Sequence, residues 1–305
     1  MTDPTYFIVI TLAVLSLYTF LVLCLFRQHG NITKPQFRSQ LNKLGKSRLG
    51  KTYDRVPDKV DLRDSFAPIP GGIVLPTKVD LSSFCSPVFD QDKLGSCTGH
   101  AAAGAFEYLQ LAELRTNTAG AEQFDTSKYE PVSRLFIYYN ERRMNKDTQE
   151  DAGATLRDAV KSLLYYGVCK ESSWPYDESK FATIPPVNAY KEAYPHRISK
   201  YYRFADLEHI KHSLAAGYPV IFGITIYESF ESDEVAMTGL VPMPGPQEHC
   251  LGGHAVMIVG YDDETQHVIV RNSWGTDWGI KGYFWLPYEY VTNMDLAGDF
   301  WSIRK

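Results

Sequence analysis

The sequence predicts an α+β fold for residues 80–305, with helices in the first half and strands in the second. Residues 97–115 are rich in alanine and other helix-forming residues. From Pro219 onward, short runs of β-branched residues such as 220–226 are typical of strands. No internal repeat or low-complexity segment is present in the 305 residues. A chain of this length can bury the core of one large domain or of two small ones.

Four helices are predicted in this region. The first begins at Cys97 and ends at Arg115, and its apolar side chains are available to a core. Gly167 and Gly217 mark the ends of two others, because glycine readily adopts the left-handed conformation that closes a helix. The other predicted helices cover residues 131–140, 154–166 and 206–216, and the predicted strands cover residues 220–226, 254–259, 267–270 and 283–286.

Residues 6–26 form an uncharged, strongly apolar segment of 21 residues behind a short tail, residues 1–5. At about 1.5 Å per residue, a helix of this length crosses the roughly 30 Å hydrocarbon core of a bilayer. The alternative is a cleaved signal peptide, but no basic residue precedes the segment and no cleavage site with small residues follows it. We therefore predict a single-pass membrane helix.

The orientation of this predicted helix is left open by the sequence. Residues 27–55 contain eight Lys/Arg and one acidic residue, Asp54, and the positive-inside rule would place the following domain in the cytosol. The only N-glycosylation sequon, at Asn31, lies too near the membrane to decide the matter. Residues 27–79 are interpreted as a basic juxtamembrane stalk or a short pro-segment. A solvated linker is favoured, because basic runs are usually tails and the helical pattern here is weak.

Composition bears on several functional classes. The net charge of −5 gives no reason to expect nucleic-acid binding. Five cysteines do not make a disulfide scaffold, although one bridge, for example between Cys85 and Cys169, is left open. Histidine pairs such as His209 and His212 lack further ligands at zinc spacing, so no metal site is predicted. The oligomeric state is not predicted.

Cys97 is the candidate nucleophile. It follows the loop of residues 90–96 and stands at the start of the first predicted helix. Unpaired backbone N–H groups and the helix dipole favour negative charge at that end, which lowers the pKa of a thiol and makes it nucleophilic. The structural alternative is a small buried apolar residue. The position of Cys97 and the motifs that follow favour the catalytic role.

Two later motifs supply partners for this thiol. His254 stands in Gly-Gly-His-Ala-Val, and Asn272 stands in Asn-Ser-Trp-Gly. Cysteine, histidine and asparagine in this order fit a thiol–imidazole couple whose ring is oriented by an amide. Gly253 allows a substrate backbone to approach closely, and Gly253 and Trp274 are candidate substrate-binding residues. Trp274 and Trp278 can also shield the His–Asn hydrogen bond from water. The structural alternatives are a core histidine and a turn asparagine.

These motifs resemble those of the papain/cathepsin family of cysteine peptidases over roughly residues 80–305. The resemblance rests on Gln91 six residues before Cys97, on Gly-Ser-Cys, on Gly-His-Ala and on Asn-Ser-Trp-Gly. It implies a papain-like fold with a helical left lobe, a barrel-like right lobe and a cleft between them. It also implies that Gln91 and a backbone N–H stabilise the oxyanion, and that Gly153 lines a wall for the substrate backbone.

The nucleophile motif departs from the usual family signature at Leu94 and Thr98, where cysteine and an aromatic residue are expected. The family disulfide that uses the first cysteine therefore cannot form, and Leu-Gly-Ser-Cys-Thr is more similar to bacterial and viral members. The resemblance assigns no role to His100. It implies a main specificity pocket two residues before the scissile bond, with part of its floor from residues 296–303. It also favours a lumenal or extracellular domain, against the positive-inside rule.

The sequence therefore predicts a membrane-anchored cysteine endopeptidase that acts on protein or peptide substrates and needs no cofactor. The alternative is a catalytically silent, membrane-tethered binding or scaffold protein of the same fold. A cleft filled by the loop of residues 237–250 would favour that alternative. A third hypothesis is transpeptidase or amidase activity, because a thioester accepts nucleophiles other than water.

Overall fold

The computed structural model describes residues 47–68, 74–116 and 129–305. Within these ranges no helix is long and apolar enough to cross a membrane. This finding contradicts the predicted single-pass membrane localisation. The segment on which it rested, residues 6–26, lies outside the described residues, as do residues 1–5 and the first part of the predicted stalk.

Three helices pack together in the first half of the domain. They are α1 (Cys97–Thr116), α2 (Arg134–Met144) and α3 (Leu156–Tyr165). The Ser133 and Thr155 side chains start α2 and α3 by accepting hydrogen bonds from backbone N–H groups of the first turn. A Cβ atom on Gly99 would lie 2.9 Å from the carbonyl oxygen of Arg134, so this glycine lets α1 and α2 approach closely.

Shorter helical elements connect the rest of the chain. The α-helices are α4 (Val187–Ala193), α5 (Leu207–Ala215), α6 (Asp233–Thr238) and α7 (Tyr288–Thr292). Three 3-10 turns cover Ser82–Phe84, Glu178–Lys180 and Glu228–Glu231. The last of these turns contributes Glu231 to the candidate site.

Seven strands form one antiparallel sheet. They are β1 (Lys78–Asp80), β2 (Lys200–Phe204), β3 (Val220–Tyr227), β4 (Cys250–Asp262), β5 (His267–Arg271), β6 (Tyr283–Pro287) and β7 (Ala297–Arg304). The strand order is β2-β7-β3-β4-β5-β6, and β1 pairs with β4. The long strand β4 is buried over nearly its whole length, because β3 and β5 flank it and α1 packs on it. This packing joins the nucleophile helix to the strand that carries His254.

The observed elements confirm the α+β prediction. α3 and α5 lie within the predicted helical ranges, whereas α2 starts inside its predicted range and continues beyond residue 140 to Met144. Gly167 and Gly217 have positive φ angles just beyond α3 and α5. The predicted strand at residues 254–259 is the middle of the longer strand β4. The sequence analysis missed β1, β2 and β7, which are defined by pairing with distant residues rather than by apolar periodicity.

The described part of the predicted linker, residues 47–68, packs on the domain and is not solvated throughout. Tyr53, Arg55 and Val56 are buried. Phe66 forms a parallel bridge with Arg203 of β2. The preference for a solvated linker does not hold for this segment, because its side chains and backbone have specific partners on the domain.

The considered disulfide between Cys85 and Cys169 is not formed. Both are free thiols, as are Cys97 and Cys250, the other cysteines in the described ranges.

Candidate active site

Cys97 is the first residue of α1 and is fully buried. α1 packs on β4, and the backbone N–H of Ala255, the residue that follows His254, lies close enough to the Cys97 sulfur to favour its thiolate. The start of α1 therefore meets β4 at the candidate histidine. This contact brings together two residues that are 157 positions apart in the sequence.

The imidazole of His254 is oriented by Asn272, as the sequence analysis predicts. His254 Nε2 lies 2.8 Å from Asn272 Oδ1. That oxygen also accepts the backbone N–H of Ser273 at 2.8 Å, so it acts as an acceptor and Nε2 carries the proton. Nδ1 of His254 is buried and has no hydrogen-bond partner among the described residues, which leaves it as the basic nitrogen.

Aromatic rings cover the His254–Asn272 pair. The Trp274 ring lies 5.3 Å from the imidazole centroid at an interplanar angle of 30°. Trp278 and Phe230 pack edge-on against Trp274, with centroids 4.9 and 5.5 Å away. Trp274 is 5 % exposed, so the hydrogen bond lies in a dry environment that strengthens it. Trp274 is thus placed as the predicted shield, and Phe230 is a contributor that the sequence analysis missed.

Gln91 is buried beside the nucleophile motif with its side chain held at both ends. Its Oε1 accepts from Ser273 Oγ at 2.6 Å, and its Nε2 donates to the Leu94 carbonyl at 3.0 Å. The amide nitrogen has two hydrogens, so one remains available to a ligand. Ser273 orients the predicted oxyanion donor. The sequence analysis missed this role, although Ser273 lies in a motif that it had singled out.

Burial sets the protonation of the catalytic pair in this structure. Burial raises the pKa of the Cys97 thiol to about 12. Burial also lowers the pKa of His254 to about 4, although the hydrogen bond that the ring donates to Asn272 opposes this shift. The expected lowering of the thiol pKa at a helix start is outweighed here by loss of solvent. The thiol and the imidazole are therefore both neutral near pH 7.

The groove beside these residues is filled by the chain's own N-terminal segment. The backbone N–H of Arg55 donates to Gly253 O, and Gly253 N–H donates to Tyr53 O, each at 3.1 Å. The backbone N–H of Val56 donates to Ala154 O at 2.9 Å on the opposite side. Residues 53–56, here called the plug, thus lie between the strand that carries His254 and the start of α3.

Two glycines predicted to line the substrate groove contact the plug. A Cβ atom on Gly153 would lie 1.9 Å from the carbonyl oxygen of Asp54, and one on Gly253 would lie 2.6 Å from that of Arg55. Any larger residue at either position would displace the plug backbone. The structure thus places Gly153 and Gly253 along one groove, where an extended chain lies against both.

Glu231 anchors the plug from the 3-10 turn before α6. Its carboxylate accepts hydrogen bonds from Ser47 Oγ, from the backbone N–H of Arg48 and from Tyr53 OH, each at 2.5 Å. The Tyr53 ring also lies 6.1 Å from the ring centroids of both His254 and Trp274. Tyr53 therefore covers the catalytic histidine. No motif in the sequence indicated this role for either Tyr53 or Glu231.

His100 has structural partners. Its Nδ1 lies 3.1 Å from the Ser96 carbonyl oxygen, and its ring packs edge-on against Tyr176 at 4.9 Å. Burial lowers its pKa to about 3. His100 thus stays neutral and supports the loop that precedes Cys97.

Among the described residues, no group of three or more His, Cys, Asp or Glu side chains is placed to hold a metal ion. His209 and His212, considered in the sequence analysis, contact Asp206 and Glu208 respectively. His249 likewise contacts one carboxylate, that of Glu228.

Comparison with known proteins agrees with this geometry. The sequence profile of the papain family cysteine proteases matches residues 75–299. An uncharacterised peptidase C1-like protein of Acanthamoeba polyphaga mimivirus is 43 % identical over 225 residues, which cover 71 % of this chain and 69 % of the viral protein. A cathepsin B-like protein of Giardia intestinalis is 26 % identical over 290 residues, covering 83 % of this chain and 80 % of that protein.

Solved structures show the same fold. Xylellain, a cysteine protease from Xylella fastidiosa, is 37 % identical and superposes with a TM-score of 0.75, covering 86 % of this chain and 99 % of that one. Digestive procathepsin L 3 of Tenebrio molitor shares the fold at 20 % identity and a TM-score of 0.60, covering 91 % of this chain and 81 % of that one. The predicted similarity to bacterial and viral members is therefore confirmed.

Proposed function

The chain belongs to the papain family of cysteine proteases, and from this premise we propose that it is an endopeptidase that acts through a thioester on Cys97. The observation that carries the proposal is the buried His254–Asn272 pair, with a Nε2–Oδ1 distance of 2.8 Å, next to a cysteine at a helix start. Asn272 holds the proton on Nε2, so Nδ1 is the nitrogen that can accept a proton from the thiol.

The proposed reaction has two halves. In the first, Cys97 passes its proton to His254 and its sulfur attacks the carbonyl carbon of a peptide bond. The negative oxygen of the tetrahedral intermediate accepts hydrogen bonds from Gln91 Nε2 and from the backbone N–H of Cys97. The C–N bond then breaks, and the leaving amine takes the proton from His254. In the second half, His254 activates a water that attacks the thioester, which releases the acid and restores the thiol.

The fixed position of Gln91 supports its part in this reaction. A donor that is already aimed at the developing oxyanion contributes about 3 kcal/mol to the rate. The bonds to Ser273 Oγ and to the Leu94 carbonyl hold the amide before a substrate arrives. Its reorganisation therefore costs little at the moment of reaction.

The same proposal assigns an inhibitory role to residues 47–56. This segment fills the groove beside Gly153 and Gly253 and buries both Cys97 and His254 completely. Departure of the segment admits water, which removes the burial that keeps the thiol and imidazole neutral. Residues 47–56 thus act as the short pro-segment, and the domain becomes active when they leave the groove.

The silent scaffold is the competing hypothesis, and one feature of the groove separates it from the peptidase. The plug is held by hydrogen bonds and side-chain packing, and the cysteines of the described ranges are free thiols. The loop of residues 237–250 is the one that would favour the scaffold by filling the cleft. Its Glu248 carboxylate instead accepts a hydrogen bond from the backbone N–H of Ser229. A groove filled by non-covalent contacts can open, which favours an enzyme in a resting form.

The test is labelling of the full chain with an epoxide inactivator of thiol peptidases, followed by peptide mass mapping and a peptide-hydrolysis assay. Three proteins are compared: the unaltered chain, Tyr53→Ala, which weakens the plug, and Tyr53→Ala with Cys97→Ala. We expect Tyr53→Ala to be labelled at Cys97 and to hydrolyse peptides, and the Cys97→Ala form to do neither. The matched control is Cys169→Ala, which removes another buried thiol and should leave both readouts unchanged.

Hydrolysis that survives Cys97→Ala would refute the thioester mechanism. Labelling of Cys97 without any hydrolysis in the Tyr53→Ala protein would favour the scaffold. A thioester captured by an added amine in preference to water would instead indicate transpeptidation.

A further inference from the structure

The Arg55 side chain enters a pocket beside the groove, between Gly223 of β3 and Asp299 of β7. Arg55 is 7 % exposed, and its guanidinium forms an ion pair with Asp299 of β7. Asp299 lies within residues 296–303, the segment expected to form part of the floor of the main specificity pocket. A buried arginine on the chain's own plug thus shows which side chain this pocket accepts.

The shape of the pocket depends on Gly223 of β3. A Cβ atom there would lie 2.0 Å from Cζ, 2.2 Å from Nε and 2.3 Å from Nη2 of Arg55. Three atoms of one planar group are therefore equally close to this position, so the guanidinium lies flat over the glycine. Any side chain at position 223 would occupy the same volume. A planar cation fits this surface, whereas the compact ammonium of lysine does not cover it.

The charge of the pocket depends on Asp299. Its Oδ1 accepts from Arg203 at 3.0 Å, and its Oδ2 accepts from Arg55 and from the backbone N–H of Asp58. Arg203 also pairs with Asp64 at 2.7 Å, so its charge is shared between two carboxylates. When Arg55 leaves, Oδ2 of a nearly buried carboxylate loses the one side-chain partner that it has among the described residues. Such a group is costly to leave unpaired, and a cationic ligand restores the pair.

Neighbouring acidic residues add to this preference. The backbone N–H of Asp58 donates to Asp299 Oδ2 at 2.8 Å, so the two residues are adjacent. Burial and the charge of Asp299 raise the pKa of Asp58 to about 7. Asp58 accepts from Trp301 Nε1 at 2.7 Å and is held in place beside the pocket. The positive charge of a guanidinium paired with Asp299 offsets the repulsion between the two carboxylates, which an apolar side chain does not do.

We propose that Asp299 and Gly223 form a guanidinium pocket, so that this peptidase selects substrates with arginine at the position that the Arg55 side chain occupies here. The inference rests on the proposed function, because it names the substrate class of the same groove. Leucine or phenylalanine at that position would enter the pocket but supply no positive charge to Oδ2 of Asp299, which would keep only the backbone N–H of Asp58 among its described partners. The selectivity for arginine therefore depends on the carboxylate of Asp299 and on the absence of a side chain at Gly223.

The first experiment measures binding and does not require turnover. The full chain carries Tyr53→Ala and Arg55→Ala, which together vacate the groove and the pocket. Synthetic hexapeptides with the sequence of residues 51–56, bearing Arg, Lys or Leu at the fifth position, are added before iodoacetamide. The readout is the concentration that halves the alkylation rate of Cys97, measured by mass mapping.

We expect the arginine peptide to protect at a concentration at least about tenfold lower than the leucine peptide, with lysine between them. Asp299→Asn should reduce the arginine-to-leucine ratio below about twofold, because the amide lacks the charge that pairs with the guanidinium. Gly223→Ala should do the same by filling the pocket. The matched control is Asp177→Asn, which neutralises an exposed carboxylate directly before the 3-10 turn Glu178–Lys180. This change should leave the arginine-to-leucine ratio unchanged.

Equal protection by the three peptides, or no protection by any of them, would overturn the proposal. The two pocket variants act by different means, so a folding defect in one leaves the other as a test. Hydrolysis of blocked dipeptide amides by the same proteins separates the two proposals. Arginine-dependent protection without hydrolysis would reject the peptidase but keep the pocket, and equal hydrolysis of arginine and leucine amides would reject the pocket alone.

Discussion

Substitution of Tyr53 should release the plug by an amount that can be worked out from its contacts. The residue is 4 % exposed, and burial of an aromatic side chain of this size contributes about 2 kcal/mol. Its hydroxyl donates to the carboxylate of Glu231, and a hydrogen bond to a charged group contributes about 2 kcal/mol more. Tyr53→Ala should thus weaken docking by about 4 kcal/mol, which shifts the closed-to-open ratio about 10³-fold. Tyr53→Phe removes only the hydrogen bond and should shift it about 30-fold.

The assay is the rate of Cys97 alkylation by iodoacetamide at pH 7, followed by peptide mass mapping. Cys97 is fully buried in the closed form, so the reagent reaches it only when the plug has left, and the rate follows the open fraction. We expect Ala to react faster than Phe, and Phe faster than the unaltered chain. Tyr165→Ala is the control, because Tyr165 is exposed on α3 and should leave the rate unchanged. Equal rates for all four proteins would refute the autoinhibitory role of Tyr53.

Three further predictions concern the catalytic groups and the fold, the first two measured in the Tyr53→Ala protein. Ser273→Ala frees the Gln91 amide and should lower kcat about tenfold with little change in KM, whereas a pure folding defect would lower the active-enzyme concentration found by titration with the inactivator. Asn272→Ala lets the His254 ring rotate and should lower kcat/KM about 10²-fold, and an unchanged value would contradict the orienting role. Burial raises the pKa of Glu141 to about 8, so the folded state keeps a proton that the unfolded state loses at its ordinary, lower pKa. Stability should therefore fall as pH rises towards 8 and level off above it, and thermal unfolding of Glu141→Gln should show a weaker pH dependence.

The helices of the domain could be predicted because their signals are local. Gly167 and Gly217 follow α3 and α5 and adopt the positive φ angles that close a helix. The apolar run after Cys97 forms α1. Strands β2 and β7 could not be predicted in this way. β2 is mostly half-exposed, and its partner in the sheet, β7, lies about a hundred residues later in the chain. Pairing partners at such distances leave little trace in the sequence of one strand.

In the candidate site, too, the residues in local motifs could be predicted and the contacts between distant segments could not. Cys97, His254 and Asn272 could be identified because each stands in a short motif whose residue types suit one chemistry. Ser273 lies in one of those motifs, yet its contact with Gln91 spans 182 residues, and nothing in either segment indicates that the two meet. The contact between Tyr53 and Glu231 spans 178 residues and was hidden for the same reason.

The sequence by itself determined the family and the α+β class and indicated the proposed catalytic couple, because these depend on residue identity and on short spacings. Only the tertiary structure decided the state of the site. It placed residues 53–56 in the groove, buried the thiol and the imidazole so that both are neutral, and set Arg55 against Asp299. Such facts depend on which distant segments exclude water from one another, and burial of that kind is a property of the folded chain rather than of any motif within it.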